Sequence, residues 1–311
     1  DLEVTRQAGA KVLRIAFGWD AMEPEPGKFD WSFWDDYVRL AREQGVTLIP
    51  YICYTPRWAA RDQGENFWRS PPRDAADFGR FTAALVQRYG ETIRTWELWN
   101  EPDNPAYWSG NVADFAALVR AGSRAVRAAD PTAQVVLGGI ATELPFLEAL
   151  FRDERIAPFV DVVNLHSYYE TWHPEPIERL PDFLDDAAEI VRHHGEQEPL
   201  WLAETGYSSV GPRPVVSDVY RVRIQGEHTE QAQAAALVRT VFHALTIPQL
   251  QLIAWYRLND LVPAQEVIGD DNNRHLGLRR VDGTPKPVEA VFRQVAGLFN
   301  STPLRTAELS V

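Results

Sequence analysis

The chain has 311 residues, 45% of them apolar, a net charge of −13 and a pI near 5.0. That apolar share excludes disorder, and the surplus of negative charge excludes nucleic acid and anionic membrane surfaces as partners unless a basic patch gathers locally. No apolar run reaches the roughly 18 residues of a membrane-spanning helix. The single cysteine, Cys53, excludes an internal disulfide and leaves the compartment open, with an extracytoplasmic setting expected over a cytoplasmic one.

Residues 1–9 read as the end of a helix closed by Gly9, as if a first strand had preceded it. From there short β-prone runs alternate with longer helical ones. Strands are expected at 12–17, 46–54, 94–100, 134–139, 160–166, 199–204 and 250–256. Helices are expected at 31–44, 74–89, 111–129, 143–153, 176–195, 229–246 and 285–299. The run Val46 to Ile52 is almost wholly apolar, as in a parallel strand buried on both faces. In the helix at 74–89, Asp74 can cap the start, and Phe78, Phe81, Leu85 and Tyr89 fall on one face.

Repeated strand–helix units imply parallel strands with right-handed crossovers, and a closed barrel needs eight of them. The reading is therefore an α/β fold, a (β/α)8 TIM barrel whose first strand is missing or replaced. An open doubly wound sheet lacks the Gly-x-Gly-x-x-Gly turn. Residues 1–300 are expected to form one catalytic domain, and 301–311 a C-terminal extension with some β character. The connections after strands, at 55–73, 101–110, 167–175, 205–228 and 257–284, are long, and those before strands are short. This puts the elaboration at the C-terminal ends of the strands, where barrel active sites sit.

Two of those strand ends carry a glutamate. Residues 96–102 read Trp-Glu-Leu-Trp-Asn-Glu-Pro and 199–205 read Pro-Leu-Trp-Leu-Ala-Glu-Thr. Glu101 and Glu204 are separated by 103 positions, or about 34 per unit over three βα units, which sets them on opposite walls of a barrel. Paired carboxylates across one mouth suit glycosidic cleavage: one holds a proton for the leaving oxygen, and the other stays ionised. Seven of the 11 tryptophans (Trp19, Trp58, Trp68, Trp99, Trp108, Trp172 and Trp255) fall at strand ends or in the following loops, where flat rings could meet sugar faces or simply fill core.

With those residues in view, the chain resembles the retaining clan A glycoside hydrolases, and most closely the family 39 β-xylosidase and exopolysaccharide-hydrolase group. The likeness runs from Arg14 to about Pro287. It is carried by Arg14, Trp19-Asp20-Ala21-Met22-Glu23-Pro24, Trp99-Asn100-Glu101-Pro102, His166-Ser167-Tyr168, Glu204-Thr205-Gly206 and Trp255. The resemblance implies Glu101 as general acid/base and Glu204 as nucleophile of a double displacement through a covalent glycosyl-enzyme. It further implies substrate-binding or orienting roles for Arg14, Trp19, Asn100, His166 and Tyr168, with Trp255 beneath the sugar.

Each residue has a plainer alternative. Asn-Glu-Pro also marks turns, Glu204 could cap a helix, and Arg14 could balance a buried acid, for which Glu97 is the candidate. His166 alone fits a core histidine equally well. No metal-ligand spacing or phosphate loop occurs, so neither a metal nor a cofactor is expected; Asp270-Asp271-Asn272-Asn273 reads as a turn before a calcium loop. Arg57, Arg61, Arg69, Arg73, Arg221, Arg223 and Arg257 could form a basic rim for acidic sugars or ordinary surface ion pairs. The expected partner is an oligosaccharide or polysaccharide, with no nucleic acid and no membrane; the oligomeric state is open. The rival readings are a catalytically inactive carbohydrate-binding protein on a hydrolase scaffold, and a transglycosylase.

Overall fold

The computed structural model describes residues 1–301 apart from 142, 212–214, 218–221 and 225. The elements in chain order are α1 (Leu2–Gln7), β1 (Val12–Gly18), α2 (Trp19–Met22), α3 (Ser32–Glu43), β2 (Thr47–Cys53), α4 (Ala75–Tyr89), β3 (Thr95–Leu98), α5 (Val112–Ala129), β4 (Gln134–Leu137), α6 (Leu144–Arg152), β5 (Val163–Ser167), α7 (Leu180–His194), β6 (Leu200–Thr205), β7 (Val215–Ser217), β8 (Val222–Ile224), α8 (Glu230–Ala244), β9 (Leu250–Trp255) and α9 (Pro287–Ser301). All seven expected strands and all seven expected helices are present within a few residues of their anticipated ends. The antiparallel hairpin β7–β8 inside the long 205–228 connection was not expected. The possible strand after residue 301 lies outside the described residues.

Strands pair in parallel in the order β1-β2-β3-β4 and β5-β6-β9. Bridges Val136–Val162 and Ile140–Leu165 join the two sets across β4 and β5. Among the described residues β9 and β1 do not pair, so the barrel has seven strands and an open seam. A cavity of about 830 Å³ runs along that seam, lined by Val12, Leu13, Leu252 and Phe292, and reaches Arg14, Tyr51, Glu204, Trp255 and Tyr256. The eighth strand of a closed (β/α)8 barrel is not found among the described residues.

Local sequence explains the helices that brace the barrel. The Asp74 carboxylate accepts the Ala76 N–H at 2.9 Å, and Phe78, Phe81 and Leu85 of α4 are fully buried. Asn111 and Asp114 form a reciprocal capping box at the start of α5. The apolar faces of α4 and α5 thus press β3 from outside and fix the strand that ends in Glu101.

Candidate active site

The site grows from the barrel floor upward. Glu97 on β3 is fully buried and points into the barrel. Its carboxylate accepts Arg14 Nε at 2.7 Å and Nη2 at 2.8 Å, Gly139 N–H at 3.2 Å and Asn164 Nδ2 at 2.9 Å. A bidentate guanidinium with further donors is what a buried charge requires. Arg14 in turn donates Nη2 to Asn100 Oδ1 at 2.7 Å and Nη1 to Glu204 Oε2 at 2.8 Å, and it lies 4.1 Å over the Tyr51 ring. Burial opposes the guanidinium charge, but Glu97 and then Glu204 outweigh it and raise the arginine further above its ordinary value.

Above this floor the strand β3 ends and the backbone turns sharply. Trp99 and Glu101 adopt left-handed conformations, with φ of 82° and 46°. Side chains with a Cβ rarely sit there, and such strain persists only where the surroundings enforce it. Trp99 is fully buried and meets Trp108, Tyr54 and Phe78 edge to face. Glu101 emerges 6% exposed, its Oε2 accepting Asn104 Nδ2 at 2.9 Å and its Oε1 lying 2.9 Å from His166 Nδ1. Burial, followed by the charge of Asp103, raises the Glu101 carboxyl to about 7. The Asn104 hydrogen bond and the charge of Arg14 pull it back down, and the charge of Glu97 adds a smaller rise.

On the opposite wall, the β5–β6 register skips Ala203, so that His166 pairs with Glu204. Tyr168 donates its hydroxyl to Glu204 Oε1 at 2.6 Å, while Arg14 holds Oε2. Both oxygens of Glu204 therefore accept a hydrogen bond. His166 is fully buried and held down to about 4 by burial, so its ring is neutral. Gly139 makes room for it, since a Cβ there would lie 2.1 Å from His166 Nε2.

Glu101, Glu204 and His166 each offer a ligand atom within 4.8 Å of one another, the one such group among the described residues. A divalent cation there would face the Arg14 guanidinium at the same carboxylate, and that repulsion opposes binding.

Arg14, Asn100, Glu101, His166, Tyr168 and Glu204 thus converge. Two expected residues do not join them. Trp19 is fully buried, stacked on Phe81, and donates its indole N–H to Glu23 at 2.6 Å, so it knits the loop after β1 instead of facing the mouth. Trp255 packs outside the barrel against residues of α8 and α9, because strand alternation sends it away from the axis. The next residue, Tyr256, faces the site, raised to about 12 by burial and by the charges of Glu204 and Glu101. Tyr51, Asp103, Asn104, Tyr107, Asn164 and Tyr256 were missed. Asn164 and Tyr51 were findable, since each shares strand parity with a site residue or pairs in register with Glu97.

The basic rim resolves mostly into internal contacts. Arg61 pairs with Asp114, Arg69 donates to the Pro105 carbonyl, Arg73 to the Trp58 carbonyl, and Arg57 to the Gln63 and Gly64 carbonyls. Arg257 donates to the Tyr256 hydroxyl at 3.1 Å. Arg221 and the side chain of Arg223 lie outside the described residues. Asp270 accepts from Asn272 and from the Trp172 indole and opens a short 3-10 turn at Asp271–His275.

Comparison with known proteins follows this geometry. A family model described as Beta-galactosidase (Glyco_hydro_42) matches residues 1–88. The chain is 28% identical to Endo-1,4-beta-xylanase A of Phanerodontia chrysosporium over 139 residues, 38% of this chain and 30% of that protein. It is 29% identical to Beta-galactosidase YesZ of Bacillus subtilis over 84 residues, 25% of this chain and 12% of that protein. Among solved structures, a family 39 glycoside hydrolase from Bacteroides cellulosilyticus WH2 superposes with a TM-score of 0.73 at 20% identity, covering 96% of this chain and 60% of that one. A monomeric β-xylosidase from Caulobacter crescentus CB15 superposes with a TM-score of 0.69 at 20% identity, covering 94% and 63%. The chain spans under a third of these curated relatives and about three-fifths of the solved ones.

The fold is that of the TIM-barrel glycoside hydrolases. Within that class, a family 39 hydrolase and a β-xylosidase stand among its structural neighbours, in agreement with the resemblance carried by the Asn100-Glu101 and Glu204 strand ends.

Proposed function

We propose that the chain, as a single domain over residues 1–300, hydrolyses β-glycosidic bonds with retention through a covalent glycosyl-enzyme. Glu204 attacks the anomeric carbon as Glu101 protonates the leaving oxygen. Glu101 then takes a proton from the water that releases the sugar. Asn100 has its Oδ1 engaged by Arg14, which leaves its Nδ2 to donate to a sugar hydroxyl beside the nucleophile. Tyr256 and Tyr107 supply aromatic surface at the same mouth.

The observation that carries this reading is the pair itself. Carboxylate oxygens of Glu101 and Glu204 lie within 4.8 Å of each other, one acid raised to about 7 and the other held by a guanidinium. A retaining pair stands about 5–5.5 Å apart, whereas an inverting pair needs about 6.5–9.5 Å to admit a water between acid and sugar. The names of the relatives, xylanase, β-galactosidase and β-xylosidase, support a β-linked oligosaccharide or polysaccharide as substrate.

The test is a screen of nitrophenyl β-glycosides and polysaccharides, with the anomer of the first product followed by proton NMR. A β-anomer at early times is expected; an α-anomer would replace retention by inversion. A 2-deoxy-2-fluoro glycoside should label Glu204, read by peptide mass. The open seam beside β9 favours a second reading, a carbohydrate-binding protein without turnover. Saturable binding of oligosaccharides with no reducing ends formed over days would establish it.

A further inference from the structure

We propose that Asn164 is a positioning residue that locks His166 in its Nδ1–H tautomer and so bars it from taking the proton of Glu101. The inference rests on the reading of Glu101 as acid/base given above. Asn164 and His166 both lie on β5, and both are fully buried.

The Asn164 carboxamide has three partners. Its Oδ1 accepts the Ala203 N–H at 3.0 Å, and its Nδ2 donates to Glu97 Oε1 at 2.9 Å and lies 3.3 Å from His166 Nε2. Ala203 is the residue skipped in the β5–β6 register, so its N–H turns to this side chain. These partners admit one amide orientation. A backbone N–H needs an acceptor, and a carboxylate needs a donor; a flipped amide would set oxygen against Glu97 and N–H against N–H at Ala203. The second hydrogen of Nδ2 therefore points at His166 Nε2, which must present a lone pair. A neutral ring then carries its one hydrogen on Nδ1, where it donates to Glu101 Oε1.

The consequence is chemical. With Nδ1 already protonated, His166 cannot accept the Glu101 proton, so that proton passes only to the leaving oxygen. When Glu101 has lost it, the same N–H steadies the carboxylate that must activate water. In the other tautomer the Nδ1 lone pair would draw the Glu101 hydroxyl toward the histidine and away from the substrate. The lock also removes His166 Nδ1 as a metal ligand.

The tautomer can be read without activity. In the full chain labelled with ¹⁵N-histidine, His166 should show a protonated, pyrrole-type Nδ1 and an unprotonated Nε2, assigned by comparison with His166→Gln. The reverse pattern would overturn the proposal. Asn164→Asp, which offers an acceptor to Nε2, and Asn164→Leu, which offers nothing, test the consequence. Both should slow glycosides with poor leaving groups by about 10–100-fold and leave the first step on dinitrophenyl glycosides within about twofold, since only the former need the acid. Both should also move the alkaline limb of kcat/KM. Equal losses on both substrates with an unmoved limb would reduce Asn164 to a structural role and overturn the proposal. If either variant fails to fold, the wild-type tautomer decides. Glu101→Ala run alongside separates the two claims: no leaving-group dependence there defeats the acid/base reading, whereas its presence without an Asn164 effect defeats only the lock.

Discussion

On the β6 wall, Glu204 takes the Arg14 guanidinium at 2.8 Å and the Tyr168 hydroxyl at 2.6 Å, whereas on the β3 wall Glu101 meets only the uncharged Asn104 and His166. Both glutamates stand at strand ends around one mouth. The difference lies in one cation: Arg14 reaches Glu97 and Glu204 with its hydrogen bonds and leaves Glu101 among acids, with Asp103 beside it. Residue type therefore does not assign the proposed roles. The placement of a buried positive charge does, because in a water-poor site each carboxylate ionises only where its charge is met.

Removing the member held by Arg14 should have the largest effect. Glu204→Ala is expected to lower kcat/KM by on the order of 10⁴-fold or more on any glycoside the chain cleaves, measured as initial rates. Wild-type rates would take Glu204 out of the chemistry.

Removing the proton-holding member should cost about 10²–10⁴-fold, and only where the leaving group needs help. Its acid form serves the first step, so kcat/KM should hold at low pH and fall as pH rises through about 7, a limb that Glu101→Ala should abolish. The same raised value means that the folded state holds this proton more tightly than the unfolded chain. The stability it contributes is present below the ordinary carboxyl range and lost as pH climbs toward about 7. Glu101→Gln should flatten that dependence in denaturant titrations at pH 4 to 8.

Weakening the contrast without erasing it should cost less. Tyr168→Phe removes one of the two donors to Glu204 and is expected to slow turnover by roughly ten- to a hundredfold, the scale of a hydrogen bond to a charged group. An unchanged rate would leave Arg14 as sufficient by itself.

The smallest effect is expected outside the mouth. Trp255 has a buried indole N–H with no partner and packs on α8 and α9, so Trp255→Phe should leave KM within about twofold and alter Tm by only a few degrees. A large rise in KM would return Trp255 to the site in place of Tyr256.

Much of the molecule could be read along the chain. The apolar run of β2, the Asp74 cap of α4 and the long connections after strands announced parallel strands with an elaborated C-terminal face. Glu101 and Glu204 were legible because each ends a buried strand, and Glu97 because it shares parity with a barrel-facing position. Trp19 and Trp255 were misread for different reasons: Trp19 opens the helical turn α2, which buries its ring beneath the loop, and Trp255 falls on the outward parity of β9, paired with Thr205 beside the inward Glu204. Asn164 offered only its strand parity with His166, and its three partners on β3, β5 and β6 meet only in space.

The sequence by itself determined the alternation of strands and helices and the acids at two strand ends, because periodicity and strand parity are local properties. Only the tertiary structure decided which acid keeps a proton, which aromatic faces the mouth and where the barrel stays open. Those outcomes depend on burial, on one shared arginine and on contacts between residues far apart in the chain, and no local pattern encodes them.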